Sequence, residues 1–252
     1  MISLIIPAYK EAENIENTIE NIVKVLRDHE VIFEMLIIVD EAPNDKTVDI
    51  AGSLVKKHKE IRLVRRKEKR GVGRAIRDGI KMSNGKIIIP IMADSSENPT
   101  DIVELSKKIQ DGHEIAVGNR FAGKSVLTNY PLFKYIVNRC YYCLAKALFN
   151  FPSNDVTNAF KAYKAEILKN LKLESNGFEI FAEIPLKAYL SGHKRIIDVP
   201  VSYYGRKKGV PKLILMKEGW KYLKILIQLF RCRFVNATSV LANQKNMNMR
   251  GN

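Results

Sequence analysis

KIIIPIMADSSENPTD, Lys86 to Asp101, is the stretch on which the reading of the fold turns. Four isoleucines in six positions read as a strand buried on both faces, Ile87 to Met92, and the run stops on a single carboxylate, Asp94. A helix is expected after Pro99. The same strand-then-helix alternation recurs upstream. Ile2 to Ile6 reads as a strand closed by Pro7. After it, Ile15, Ile19, Ile22, Val23 and Leu26 fall at helical spacing, with acidic residues early and basic ones late as the helix dipole prefers. Phe33 to Val39 reads as a strand before a helix beginning near Asn44, and Ile61 to Val64 as a strand before a helix that follows Gly71. Repeated βα units of this kind imply an α/β fold, a mostly parallel twisted sheet flanked by helices on both faces.

In open sheets of this class ligands collect beyond the carboxyl ends of the strands, so the residues at those ends carry the information. They are Pro7-Ala8-Tyr9-Lys10-Glu11, Asp40-Glu41, Arg65 to Gly73 and Asp94-Ser95-Ser96-Glu97; a further strand, His113 to Gly118, ends in Asn119-Arg120. Carboxylates gathered with arginines suit a phosphate ligand carried with a divalent cation, the carboxylates holding the metal and the cations holding the phosphates. The competing reading is that Asp94 caps the following helix. No phosphate-loop motif occurs, and GVGRAIRDG (71–79) lacks the third glycine of a dinucleotide fingerprint at the needed spacing, which leaves a nucleotide held mainly by side chains and a metal. Downstream come an apolar helix from Pro131 to Phe149, a turn SNDVTN (153–158), a short strand around Phe160 to Tyr163, a helix over roughly Gly177 to Leu190 and a strand near Ile196 to Val201.

Composition narrows the partners. The chain has 252 residues and no repeat or low-complexity tract, which sets solenoid, collagenous and disordered classes aside. Its 42 Lys plus Arg against 27 Asp plus Glu give a formal charge of +15, favouring polyanionic partners. The run KKHKEIRLVRRKEKR (56–70) reads as a solvated basic face. Cys140, Cys143 and Cys232 are too few for a disulfide framework and suit a reducing compartment; with four scattered histidines and no second cysteine pair, CYYC reads as apolar filler rather than a zinc site. The amino terminus has no basic n-region and reads as the first strand rather than a signal peptide. In LILMKEGWKYLKILIQLFRCRF (213–234) a narrow polar stripe, Lys217, Lys221, Lys224, Gln228 and Arg231, interrupts an otherwise apolar helix, the pattern of an element that either packs in a core or lies in a bilayer interface, and its terminal position and basic stripe favour the interface. The expectation is a cytoplasmic protein, peripheral on the inner membrane face, with three parts: a main domain over 1–212, an amphipathic helix over 213–235 and a polar tail over 236–252.

At this point the motifs carry a resemblance. Pro7-Ala8-Tyr9-Lys10-Glu11, VDEAPNDKT (39–47), GVGRAIRDGI (71–80), MADSSENP (92–99), VGNRF (117–121), NDVTNAFKAY (154–163), GFEIFAE (177–183) and GRKKGVPK (205–212) resemble, in order, the motif series of family 2 glycosyltransferases, nearest to the dolichol-phosphate mannosyltransferase-like branch. The resemblance implies a GT-A fold, with a Rossmann-like nucleotide-binding half and an acceptor half. It also implies a nucleotide-sugar donor (GDP-mannose or a UDP-sugar), Mg²⁺ or Mn²⁺, and an inverting hexosyl transfer onto a polyprenyl phosphate. It places Pro7, Tyr9 and Glu11 against the nucleoside, Asp40 at the base, and Ala93 beside Asp94 on the donor. Asp94 would hold the metal with Ser96 and Glu97, and Arg120, Arg139, Arg206 and Lys212 would lie on donor and acceptor phosphates. Of these, Asp94, Arg120, Arg139 and Arg206 would carry catalysis. The series departs from the family pattern at Met92, where the first aspartate of a D-x-D motif is expected, at Lys10 for Asn, Glu41 for Asp, Ser96 for Gln and Pro211 for Ser.

The residue inventory favours a phosphate acceptor on its own terms. A sugar hydroxyl must lose its proton to attack, whereas a phosphate monoester, with a second pKa near ~6, is already anionic at neutral pH. The strand tips hold cations in number and no histidine. Two other readings stay open: transfer to a saccharide hydroxyl in cell-surface glycan assembly, and a non-catalytic basic nucleotide- or RNA-binding module. Against the last, the basic residues are not interleaved with aromatics in a stacking pattern, so no nucleic-acid partner is expected.

Overall fold

Six runs rich in Ile, Val or Leu and one short segment, Lys161–Lys164, supply the seven strands of one sheet, and the computed structural model describes residues 1–67, 69–205 and 218–233. The first half alternates strictly: β1 (Ile2–Ala8), α1 (Ile15–Asp28), β2 (Phe33–Asp40), α2 (Thr47–Lys57), β3 (Ile61–Arg66), α3 (Val72–Met82), β4 (Ile87–Pro90), α4 (Thr100–Gln110) and β5 (Ile115–Asn119). The second half departs from that grammar. It runs through β6 (Leu127–Thr128), α5 (Leu132–Phe149), β7 (Lys161–Lys164), α6 (Ala165–Asn170), α7 (Ile180–Leu190), β8 (Ile196–Pro200) and β9 (Tyr203–Tyr204), and residues 218–233 are helical.

The sheet order is β3-β2-β1-β4-β7-β5-β8, with β6 and β9 forming a separate two-stranded parallel ribbon. β1 pairs in parallel with β2 and with β4, and β5 with β8, while β7 runs antiparallel to both of its neighbours, β4 and β5. The expected parallel sheet is therefore mostly parallel with one reversed strand. Because side chains alternate across a strand, each face builds its own core. Ile2, Leu4, Ile6, Met35, Ile37 and Val39 pack beneath α1, α2 and α4. Ile5, Leu36 and Ile38 meet α3, α6 and α7 on the other face. A third cluster joins Tyr141, Ala145 and Phe149 of α5 to Ala182 and Leu186 of α7 and to Ile225, Leu226 and Leu229 of the helical segment 218–233. The described part of the expected interfacial helix is thus packed along α5. Arg206, Pro211, Lys212, residues 213–217 and the polar tail lie outside the described residues.

One glycine fixes a close approach that matters below. Gly71 has φ +148°, and a Cβ there would meet the carbonyl oxygen of Asn176 at 2.3 Å. Only glycine lets the loop before α3 lie against the 174–177 loop.

Candidate active site

The carboxyl ends of β1, β4 and β5 open onto a cleft of about 650 Å³. Its floor near the strand tips carries Glu11, Met92, Asp94, Ser96, Glu97 and Arg120, and its far walls are apolar: Phe133, Ile136, Val137 and Leu144 of α5 on one side, Leu223 and Tyr222 on the other. Positions 133, 136/137, 140/141 and 144 are one face of a helix, so a single face of α5 lines the cleft over three turns. Charge and hydrophobicity are segregated along its length.

Asp94 is not a helix cap. Helix α4 starts at Thr100 behind Pro99, and the Asp94 carboxylate turns back onto its own loop, Oδ1 accepting the Ser96 amide at 3.2 Å. The loop is tied down from α1: Thr18 Oγ1 donates to the Ala93 carbonyl at 3.2 Å and lies 2.6 Å from Ser95 Oγ, and Ser95 takes a left-handed φ of +58°. Glu97 follows, its Oε2 accepting from Ser96 Oγ at 3.1 Å. Removal from water and, next, the charge of Asp94 push the Glu97 carboxyl up to about 8. A divalent cation would relieve the repulsion that the Asp94 charge exerts on Glu97, and this donor set fits one. Among the described residues no three His, Cys, Asp or Glu side chains cluster tightly enough for an all-protein cage.

Arg120 and Arg139 are held differently. Asp155 grips the Nε and Nη2 edge of Arg120 at 2.8 and 2.7 Å and also accepts its backbone N–H at 2.9 Å. Burial opposes both charges, but each partner restores the other: the Arg120 guanidinium holds Asp155 below the usual carboxylate range, and Asp155 raises Arg120. The guanidinium lies over the rings of Phe121 and Tyr130, each 5.5 Å away. Arg139 points off the cleft lining, donating to the Asn154 carbonyl at 3.2 Å between the rings of Phe121 and Tyr142.

A cation absent from the sequence reading is Lys134. It lines the cleft with its ammonium between Tyr130 and Tyr203, 5.1 and 5.2 Å from the ring centroids. Burial and then the nearby Arg120 charge pull it down to about 8, with Asp94, Glu97 and Asp155 opposing. Tyr203 is brought there by β9: its amide bonds to Val126, and the Tyr204 amide to Ser96 of the carboxylate loop at 2.9 Å. A lysine in an apolar helical run gives no sequence signal; its meaning depends on aromatics from β9, some seventy positions away.

At the tip of β1, Pro7 is buried within the strand, Tyr9 follows its last residue, and Glu11 reaches the cleft, its amide donating to Thr47 at 2.9 Å and its Oε2 accepting from Asn14 at 3.2 Å. Lys10, where the family pattern has Asn, adopts φ +53°, a conformation Asn takes more readily than Lys. Arg70 stacks over the Tyr9 ring at 5.0 Å and donates to its hydroxyl at 2.9 Å. Asp40 is already engaged, by Arg66 and by the Gly71 amide at 2.9 Å, and Arg66 is fixed in turn by Asp78 at 2.8 Å. Ala93 is buried beside Asp94. The cysteines read as filler are exposed instead.

The family 2 glycosyl transferase model matches residues 3–172. The chain is 27% identical over 232 residues to a dolichol-phosphate mannosyltransferase of Pyrococcus furiosus, covering 91% of this chain and 64% of that protein. It is 23% identical over 217 residues to a polyprenol monophosphomannose synthase of Mycolicibacterium smegmatis, covering 83% and 80%. It superposes on the glucosyl-3-phosphoglycerate synthase of Mycobacterium tuberculosis, solved with Mn²⁺, UDP and phosphoglyceric acid, with a TM-score of 0.71 at 19% identity over 91% of this chain and 78% of that one. That likeness establishes the GT-A arrangement of the sheet. With the ordered motifs, the strand-tip carboxylates and a family match over two thirds of its length, the chain belongs to glycosyltransferase family 2.

Proposed function

We propose that this protein transfers a hexose from a nucleotide-sugar to a polyprenyl phosphate at a membrane surface, with Mg²⁺ or Mn²⁺ at Asp94 and Glu97. The observation that carries this reading is the segregated cleft. At its strand-tip end the carboxylates meet Arg120 and Lys134, the latter from the first turn of α5, and beyond them α5 lines it with Ile136, Val137 and Leu144, opposite Glu218, Tyr222 and Leu223. A ligand with an anionic head and a long hydrocarbon tail matches both ends, and the named relatives in Pyrococcus and Mycolicibacterium support the class of acceptor. The chain spans 64% of the length of the Pyrococcus relative, so the reading concerns the part in hand.

In this reading Tyr9 and Arg70 hold the nucleoside, with Asp40 fixing the turn at Gly71. Asp94 and Glu97 would hold the cation, which when bound supplies positive charge to the departing diphosphate. Lys134 and Arg120 offset the repulsion between two anionic substrates and orient the lipid phosphate, whose oxygen needs no general base to attack the anomeric carbon. A single displacement from the face opposite the diphosphate inverts that carbon. Arg139, turned onto Asn154, supports the acceptor loop rather than touching substrate; Arg206 and Lys212 keep their expected phosphate roles as part of this proposal.

The apolar rim extends outward. Leu132 is 73% exposed, Phe133 56%, Ile136 50% and Trp220 65%, a set on α5 and the adjoining helical segment that would rest in the bilayer interface where the isoprenoid tail lies. No helix among the described residues is long and apolar enough to cross a membrane. A cytoplasmic-face location is part of the proposal.

The test is incubation of the protein with radiolabelled GDP-mannose, UDP-glucose or UDP-N-acetylglucosamine, polyprenyl phosphate and Mg²⁺ or Mn²⁺, followed by organic extraction. Label in the organic phase is expected; label confined to added oligosaccharide would replace this reading with transfer to a hydroxyl.

A further inference from the structure

Lys161 is fully buried, at 0% exposure, on the reversed strand β7. Its ammonium makes no ion pair within hydrogen-bond reach among the described residues; instead it donates to three main-chain carbonyls. Two belong to the turn before its strand, Val156 at 3.0 Å and Asn158 at closer range, and the third is Phe181 at 3.3 Å in the first turn of α7.

Each of those carbonyls has a reason to need it. Pro185 lies inside α7, and the helical partner of the Phe181 carbonyl would be the amide of residue 185, which proline lacks. Lys161 supplies the missing donor. The turn carbonyls face inward because the side chains between them face the cleft. Thr157 and Asn158 line it: Thr157 donates to Asn138 of α5 at 2.8 Å and accepts from Arg120 Nη2 at 3.5 Å, and Asn158 donates to the Gly118 carbonyl of β5 at 2.6 Å. In the same turn Asp155 holds Arg120. A buried carbonyl left without a donor is costly, so losing the donor to three at once would let the turn rearrange.

We infer that Lys161 is a positioning residue of the acceptor end: by binding the Val156, Asn158 and Phe181 carbonyls together, it sets the Asp155 carboxylate that aims Arg120 and seats the apolar Phe181 wall beside it. Phe181 itself lines the cleft, so one ammonium registers the anion-binding side chain against the hydrocarbon wall. The assignment of this end to an acceptor anion rests on the function proposed above; the geometry around Lys161 does not.

The test compares wild type with Lys161→Met, Lys161→Arg and Arg120→Ala by titration calorimetry. Inorganic pyrophosphate without metal serves as the anion probe, and GMP and UMP as nucleoside probes. Losing one oriented charge-assisted contact corresponds to roughly tenfold or more in affinity. Lys161→Met is expected to bind pyrophosphate about as weakly as Arg120→Ala and the nucleotides as wild type does, with Lys161→Arg recovering part of the anion affinity. Wild-type pyrophosphate affinity in Lys161→Met, equal losses for both kinds of probe, or an Arg120→Ala variant that still binds the anion would each overturn the inference. If Lys161→Met does not fold, Lys161→Arg decides, since a displaced guanidinium should weaken the anion alone. A wild type that binds pyrophosphate through Arg120 and yet transfers sugar to no polyprenyl phosphate would sink the proposed function while leaving the role of Lys161 decided.

Discussion

The two halves of the sheet solve the problem of holding charge in opposite ways. Around β1 to β4, charged side chains at the strand tips are locked by neighbours of opposite sign or by backbone amides: Asp40 by Arg66 and Gly71, Arg66 by Asp78, Glu41 by Arg65. Around β5 and α5 the cations instead sit against aromatic faces, Arg120 over Phe121 and Tyr130, Lys134 between Tyr130 and Tyr203, with Asp155 the one carboxylate ion-paired to them among the described residues. Ring faces attract a cation without neutralising it. In the function proposed here the first half suits a ligand carried with a metal, and in the second Asp155 balances Arg120 while Lys134 keeps its charge for an anion.

That contrast can be broken at three points. The largest effect is expected at Asp94: Asp94→Ala removes the carboxylate best placed for a divalent ion, and if metal stabilisation of several kcal/mol is lost, kcat should fall by about a thousandfold. Donor binding should also lose its dependence on Mn²⁺. Equal nucleotide affinity with and without chelator in wild type would contradict the assignment. A smaller effect is expected at Lys134. Lys134→Met should raise KM for the lipid phosphate by roughly tenfold and leave KM for the donor unchanged. Because the free ammonium is already pulled down to about 8, affinity for the acceptor should be retained below that pH and decline above it, and the Met variant should lose this dependence. A flat profile in wild type would show that another cation carries the phosphate. The smallest effect is expected on the rim. Leu132→Ser together with Trp220→Ser should weaken binding to vesicles containing anionic lipid by about tenfold, as loss of partly buried apolar area predicts, with turnover on a short-chain soluble prenyl phosphate unchanged. Vesicle binding that survives would place the membrane contact elsewhere.

The same division governs what the sequence could reveal. Every element from β1 to β5 was readable, because each strand is a run of Ile, Val or Leu and each helix shows a regular apolar face; the ends shifted by only a few residues, as at Thr47 for a helix expected near Asn44. Asp94 could be singled out because a carboxylate ending a buried strand is conspicuous. In the second half, β6 and β9 are two residues each and α6 is six, too short for any period to register. The direction of β7 is likewise invisible in a four-residue strand whose orientation is fixed by its partners. Lys134, Asp155 and Lys161 escaped for a related reason. Each looks ordinary in its own segment, and acquires a role only when Tyr203, Arg120 or Pro185 is brought beside it by tertiary structure. Glu183 is structural within its helix: it accepts from the amides of Glu174 and Ser175 and pairs with Lys187.

The reversed direction of β7 has a geometric consequence for how such a sheet acquires a second substrate. A parallel strand inserted between β4 and β5 would begin at the edge remote from chemistry and deliver its preceding loop there. Turned around, the strand starts at the reactive edge, so whatever segment leads into it is laid down among the catalytic groups without lengthening any existing connection. Inverting one strand is thus an economical way to import a whole turn, and libraries that vary residues 153–158 should retune acceptor choice while sparing the nucleotide pocket.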